Sequence, residues 1–223
     1  MTRPSETDAP NLTWRDGVPV STRFDDPYYS LGGGLEEARH VFLAGNDLPA
    51  RLRPGFHVAE LGFGTGLNLA ALLIAADGIP VRFTTFEAFP MDPQDMAKGL
   101  ATFGVDGVMA PILGAMSSGS TEFATGSLTF HLVTGDARQT LPEWEGRADA
   151  WFLDGFSPAK NPEMWTPDLL REVARHTAPG GTTATFTAAR AVRDGLADAG
   201  FSVTRSAGYG RKRHMTQATL NRG

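Results

Sequence analysis

Residues 60–68 read ELGFGTGLN, with glycines at the alternate positions 62, 64 and 66. The preceding residues, FHVA at 56–59, suit a buried strand, and the following LNLAALLIAA at 67–76 suits a helix. A glycine-rich turn between strand and helix opens a doubly wound α/β fold and holds a ligand. Spacing decides which one. A triphosphate loop needs GxxxxGK followed by Ser or Thr. No lysine lies near these glycines, and the nearby hydroxyl of Thr65 sits among them. A dinucleotide turn prefers GxGxxG, whereas here the order is Glu60-x-Gly62-x-Gly64-x-Gly66.

An acid at the end of that strand would repel a pyrophosphate. It suits a ligand with an ammonium and a sulfonium, as S-adenosylmethionine (SAM) has. Gly62, Gly64 and Gly66 let the backbone approach such a ligand closely. The second strand ends in Glu87, placed to accept ribose hydroxyls, and the third in Gly135-Asp136-Ala137, placed to read an adenine edge. Three acidic strand ends beside one glycine turn favour SAM. A turn chosen only for tight strand–helix packing is the plainer alternative.

The alternation continues along the chain. Strand 57–61 leads to helix 66–76, and strand 82–87 to a helix near 93–103. Residues 104–118 read as helix and loop, and TEFATGSLTFHLV at 121–133 as a hairpin around Thr125-Gly126-Ser127. Strand 149–154 leads to helix 167–177; APGG at 178–181 then turns into strand 182–187 and helix 189–199. FSVTRS at 201–206 and KRHMTQATL at 212–220 close the chain as an antiparallel pair. This predicts a Rossmann-like, seven-stranded, mostly parallel sheet with a terminal antiparallel strand, that of a class I SAM-dependent methyltransferase.

The expected organisation is a single domain over 1–223, with an N-terminal extension and lid at 1–53 and the core at 54–223. Residues 1–13 read as disordered and residues 23–34, RFDDPYYSLGGG, as a loop. Leu35, Ala38, Val41 and Phe42 then share one face of an amphipathic helix.

With 41% hydrophobic residues the 223-residue chain can bury a full core. Its longest apolar run, Leu67–Ala76, is too short to span a bilayer. The polar N-terminus lacks a secretory-type apolar stretch, so a cytoplasmic location and no membrane partner are expected. There is no cysteine, which excludes disulfides, thiolate metal sites and thiol nucleophiles. His40, His57, His131, His176 and His214 form no HxH or HxxxH pair, so no metal is expected. The net charge of −5 is uneven: residues 171–223 carry nine Lys/Arg against three acids, +6, leaving −11 for the rest. A basic end permits a polyanionic partner.

The segment FLDGFSPAKNPEMW, residues 152–165, is the most unusual. Asp154 follows a buried strand and lies where ligands bind in open α/β sheets. Gly155, Pro158 and Pro162 stiffen the loop, and Phe156 and Trp165 flank it. In many exocyclic-nitrogen methyltransferases an Asp or Asn here precedes Pro-Pro and an aromatic. Asp154 is therefore a candidate catalytic residue, or else a cap on the next turn. Methylating a pyrimidine carbon normally needs a thiolate, which leaves nitrogen or oxygen as acceptor.

FDDPYYS, GLEEARHVFLAGNDLP, ELGFGTGLN, LDGFSPAKNPEMW, APGGTTATFT and GYGRKRHM together resemble, in order, the methyltransferase part of the MnmC proteins and its stand-alone form, the MnmD proteins. The resemblance spans roughly Phe24 to Met215. It implies SAM-dependent methylation of the 5-aminomethyl group of a (2-thio)uridine at the tRNA wobble position. A flavin-dependent oxidase acting upstream is implied as a partner, and the sequence accounts for the methyltransferase step only. A small amine or metabolite as acceptor is the rival reading, and a SAM-fold binding protein without activity is a second.

On this footing Phe24, Tyr29, Glu60, Gly62, Phe63, Gly64, Gly66, Asn68, Glu87, Asp136, Ala137, Asp154, Gly155 and Phe156 are the expected cofactor-binding residues. FDDPYYS lies over the cleft as a lid, with Phe24, Asp26, Tyr28 or Tyr29 near the ligand, or else packs on the core. Asp154 accepts an amine N–H and aims the lone pair. Lys160, Tyr209, Arg211, Lys212 and Arg213 are the expected tRNA contacts, through phosphates and base stacking. An edge strand guarded by charge is the alternative for the last three. Glu36 and Glu37, near the start of a helix, read as structural.

Overall fold

A computed structural model describes residues 11–30 and 33–221. The chain opens with strands β1 (Leu12–Arg15) and β2 (Val18–Ser21), then a two-residue strand β3 (Asp26–Pro27), which pair antiparallel in that order. Leu12 and Thr13, read as disordered from sequence, are therefore paired; residues 1–10 lie outside the described part. Arg15 faces Val18 across Asp16-Gly17, whose φ angles of 50° and 79° are both positive. Asp-Gly is the sequence pair that such a two-residue hairpin turn demands.

The remaining elements are α1 (Gly34–Ala38), β4 (Phe56–Leu61), α2 (Leu67–Ala76), β5 (Val81–Glu87), α3 (Pro93–Leu100), α4 (Asp106–Ser117), β6 (Glu122–Thr125), β7 (Leu128–Thr134), α5 (Ala137–Thr140), β8 (Ala148–Leu153), α6 (Pro167–Arg175), β9 (Thr177–Thr185), α7 (Arg190–Asp198), β10 (Phe201–Ala207) and β11 (His214–Leu220). The large sheet runs β10-β11-β9-β8-β4-β5-β7-β6. Neighbours among β9, β8, β4, β5 and β7 are parallel. β11 is antiparallel to both β9 and β10. The seven expected strands are thus present, and the hairpin partner β6 adds an eighth at the β7 edge.

The amphipathic segment after Gly34 is not one helix. It widens into a π turn over Arg39–Leu43 and tightens to a 3₁₀ turn over Ala44–Asn46. The segment lies tight on the sheet: a Cβ on Gly45 would stand 2.7 Å from that of Ala184. APGG is likewise not a turn before β9 but an irregularity inside it, since Ala148 faces Thr177 while Ala150 faces Thr182.

Residues 34–46, α2, α3 and α4 cover one face of the sheet, burying Phe42, Leu69, Leu72, Met96, Met109 and Phe130 together. α5, α6 and α7 cover the other, around Trp151, Leu170, Leu196 and Phe201. Every residue of β4 is buried, as a parallel strand covered on both faces requires. The chain leaves β4 toward β5 on one side and returns to β8 on the other, so the tips of β4 and β8 frame the switch-point crevice. Among the described residues no helix is long and apolar enough to cross a membrane.

Candidate active site

A cavity of about 1280 Å³ lies over the carboxyl ends of the parallel strands. Sites for one small ligand span roughly 300–1,000 Å³, so there is room for two reactants side by side. Its floor is the glycine turn. Gly62, Gly64 and Gly66 all have positive φ, at 89°, 53° and 79°. A Cβ on Gly62 would approach the Asp154 carbonyl oxygen to 2.6 Å, so this glycine lets the tips of β4 and β8 meet. Gly66 differs. A Cβ there would meet Met109, Phe63 and Met96, and it does not line the cavity. Packing by itself accounts for a glycine at this position.

Glu87 ends β5 and accepts three backbone N–H bonds, from Phe63 at 3.0 Å, Gly64 at 3.1 Å and Phe89 at 2.9 Å. It thereby fixes the turn while facing the cavity. Phe63 lines the cavity too, and its ring packs on Phe130 with centroids 5.4 Å apart. Asp136 caps α5 and is held by the Arg138 guanidinium, which keeps its carboxyl below the usual range. Ala137 and Gly155 line the wall nearby.

Glu60 is placed differently from its expected role. It is fully buried, with 0% exposure, and does not line the cavity. Its carboxyl accepts from Asn68 Nδ2 at 2.9 Å and from Thr85 Oγ1 at 3.0 Å. Burial pushes its pKa well above the ordinary carboxylate value. A side chain in this position anchors Asn68 from below rather than meeting a ligand cation.

The second amide hydrogen of Asn68 goes to Asp154 Oδ2 at 2.6 Å. Asn68 therefore ties the acid beneath the floor to the acid in the cavity. The Asp154 carboxyl is pushed up to about 7, first by burial and further by Glu37, while the Asn68 hydrogen bond and Lys212 pull it down.

The N-terminal hairpin and its following loop roof the cavity. Phe24 stacks on Phe156 with centroids 4.8 Å apart, and Tyr28 meets the same ring edge-on at 5.1 Å. Asp26 Oδ2 accepts the Ser157 N–H at 3.1 Å, and Asp26 Oδ1 lies 3.4 Å from Lys160 Nζ. Lys160, expected on phosphate, is thus latched to the roof, where it also reaches the Asp25 carbonyl. Tyr29 borders the cavity, but its hydroxyl donates to the Gly99 carbonyl at 2.7 Å and its ring packs on Phe103.

Of the basic loop, only Lys212 reaches inward; its Nζ lies 2.8 Å from Glu37 Oε1. Arg211 and Arg213 are exposed, and Tyr209 packs beside His40 outside the cavity. Glu36 pairs with Arg39 at the surface. Glu37, read as structural, is 8% exposed and lines the cavity. Its other oxygen accepts from Ser30 Oγ at 2.5 Å.

The sequence pattern of the family described as S-adenosyl-L-methionine-dependent methyltransferase matches residues 108–221. The tRNA 5-methylaminomethyl-2-thiouridine biosynthesis bifunctional protein MnmC of Chromobacterium violaceum is 43% identical over 225 residues, covering 94% of this chain and 34% of that protein. The protein of the same name from Caulobacter sp. strain K31 is 43% identical over 233 residues, covering 96% and 39%. The chain thus spans about a third of the length of the curated relatives it matches. Among solved structures, MNMC2 from Aquifex aeolicus superposes with a TM-score of 0.78 at 27% identity, covering 98% of this chain and 72% of that one.

Proposed function

The chain belongs to the S-adenosyl-L-methionine-dependent methyltransferases, and from that premise we propose that it N-methylates the 5-aminomethyl group of a (2-thio)uridine at the tRNA wobble position. The observation that carries the reading is Asp154: a carboxyl at the tip of β8, held from behind by Asn68 and opening on a cavity with room for two reactants. The names of the MnmC relatives supply the nucleoside.

The residues fit SAM. The left-handed glycines at 62 and 64 keep the turn free of side chains, and no lysine stands beside it for a phosphate chain. Glu87 keeps acceptor capacity for ribose hydroxyls, because an ionised carboxylate offers about four lone-pair sites and three are taken. Phe24, Tyr28 and Phe156 close the site from above. Bound there, SAM supplies an electrophilic methyl on a sulfonium.

The chain's own part is to bring in an amine and present its lone pair. An alkylamine with a pKa of about 10 is mostly protonated at neutral pH, and freeing its neutral form costs roughly 4 kcal/mol. A nearby carboxylate does not lower that cost, since it favours the ammonium. Asp154 instead accepts an N–H from the amine, fixes its direction, and stabilises positive charge arriving on nitrogen. Asn68 keeps Asp154 in one orientation. The exposed arginines of the basic loop bind anticodon phosphates. In this organisation the hairpin and loop of residues 11–30 serve as the roof of one methyltransferase domain. A flavin-dependent oxidase that unmasks the amine acts upstream.

The test is mass spectrometry of wobble nucleosides after incubating aminomethyl-bearing tRNA with SAM and the protein. A gain of one methyl on the aminomethyl group is expected. Unchanged nucleosides, with transfer to free small amines, would replace this reading with the small-amine one. Asp154→Ala should cut turnover by a factor on the order of 10²–10³ with little change in SAM affinity.

A further inference from the structure

Glu37 and Lys212 stand 175 residues apart in sequence and meet in the cavity wall. Lys212 Nζ lies 2.8 Å from Glu37 Oε1 and 4.1 Å from the centroid of the Phe186 ring. Ser30 Oγ donates to the other Glu37 oxygen and fixes the carboxylate. Glu37, Phe186 and Lys212 line the same cavity as Asp154. The two groups around the lysine tip are what any alkylammonium needs: a carboxylate with its orientation set, and the face of an aromatic ring. Lys212 is itself a primary alkylammonium on a flexible stem, and its side chain is 42% exposed. It can swing out to solvent without unfolding its surroundings.

We propose that Glu37 and the Phe186 ring form the subsite that receives the ammonium of the incoming acceptor, and that Lys212 fills this subsite in the free protein as a tethered stand-in. This rests on the proposed reading that the acceptor is an aminomethyl nucleoside. The entering amine displaces Lys212 from Glu37, and the released ammonium turns to the acceptor's phosphates beside Arg211 and Arg213. Recruitment and reaction are then divided between two acids. Glu37 selects a cationic acceptor; on leaving Glu37 the ammonium gives one proton to water, and Asp154 directs the lone pair so freed. Binding of a neutral nucleoside leaves the lysine where it is, so the lysine also discriminates against unmodified uridine, which cannot offer Glu37 a replacement charge.

The unmodified chain can be tested directly. With S-adenosylhomocysteine present, lysines are acetylated and Lys212 is followed by mass spectrometry. The probe is 5-dimethylaminomethyluridine, a cationic nucleoside whose amine cannot be acetylated; 5-methyluridine is its neutral control. The cationic nucleoside should raise the rate of Lys212 labelling several-fold, and the control should not. In kinetics, Glu37→Gln should raise KM for aminomethyl-tRNA about tenfold with kcat changed less than about threefold, the pattern of lost acceptor binding. Lys212→Met should lower KM for the free 5-aminomethyluridine nucleoside yet raise it for tRNA. Equal labelling with both nucleosides, or a Lys212→Met variant that weakens both acceptors alike, overturns the subsite. Absence of tRNA methylation by the wild-type chain would instead overturn the functional reading, while a Lys212 displaced by the cationic nucleoside would leave the subsite standing.

Discussion

Asn68 donates to Asp154 at 2.6 Å with the same amide nitrogen that donates to Glu60 at 2.9 Å. One neutral side chain thus holds two carboxyls whose pKa values are both raised by burial and both lowered by its hydrogen bonds. Removing it acts on both ends. Asn68→Ala leaves Asp154 without this donor, so its pKa climbs above about 7. The acid limb of the pH–rate profile should move to higher pH, and turnover at neutral pH should fall by about 10–100-fold as aim and ionisation are both lost. A turnover loss with an unshifted profile would mean that Asn68 shapes the floor without tuning the acid.

The same raised pKa makes a stability prediction. Folding lifts the Asp154 carboxyl from 3.8 to about 7, so the folded chain holds this proton more tightly than the unfolded one. The stability it contributes is complete below about pH 4 and is lost as pH rises to about 7. Asp154→Asn has no proton to lose and keeps an oxygen for Asn68. Measured without SAM, its melting temperature relative to wild type should rise between pH 5 and pH 8.5 by roughly 5–10 °C, the shift that about 2.7 kcal/mol, two pH units of linkage, gives in a chain of this size. A difference constant with pH would show that Asp154 does not titrate in this window.

Two glycines with nearly equal φ separate backbone strain from crowding. Gly17 has φ 79° and nothing within 4 Å of a built Cβ. Gly62 has φ 89° and the Asp154 carbonyl at 2.6 Å. Gly17→Ala should cost only the strain of a left-handed alanine, about 1 kcal/mol. Gly62→Ala adds a backbone clash between the tips of β4 and β8, and should lower the melting temperature by at least twice as much and abolish SAM binding. Equal melting temperatures would show that the two strand tips can separate freely.

How far the sequence was legible follows from where each signal resides. Alternating strands and helices are local, so the strand order's ingredients and the terminal antiparallel pair could be read from periodicity. Local signals also located the glycine turn, Glu87 and Asp154 at strand ends. The Asp16-Gly17 hairpin is equally local, but its strands have only four residues each, too few for alternation to stand out in the sequence. Glu60 could not be placed by counting: whether a strand-tip acid faces the ligand or the sheet depends on Thr85 and Asn68 from other elements. Glu37 was harder still. An acid in the first turn of a helix normally faces solvent and the helix dipole, and only the fold brings Lys212 to it. Lys160 followed the same rule in reverse: its charge was visible, but its partner Asp26 lies 134 positions earlier.

The basic loop splits by direction. Lys212 turns inward to Glu37, while Arg211 and Arg213 on either side of it are exposed. Under the proposed function these two guanidiniums bind the tRNA through its phosphates, and each phosphate neutralised releases counterions. The logarithm of the tRNA association constant should therefore fall linearly with the logarithm of salt concentration. Replacing both arginines by alanine should reduce that slope by roughly 1.4–1.8, at about 0.7–0.9 for each contact. Catalysis at saturating tRNA should be unaffected, because neither arginine borders the cavity. A double variant that keeps the wild-type slope would move the tRNA surface away from this loop, to the rim around Arg23 and Arg138, the two arginines that do line the cavity.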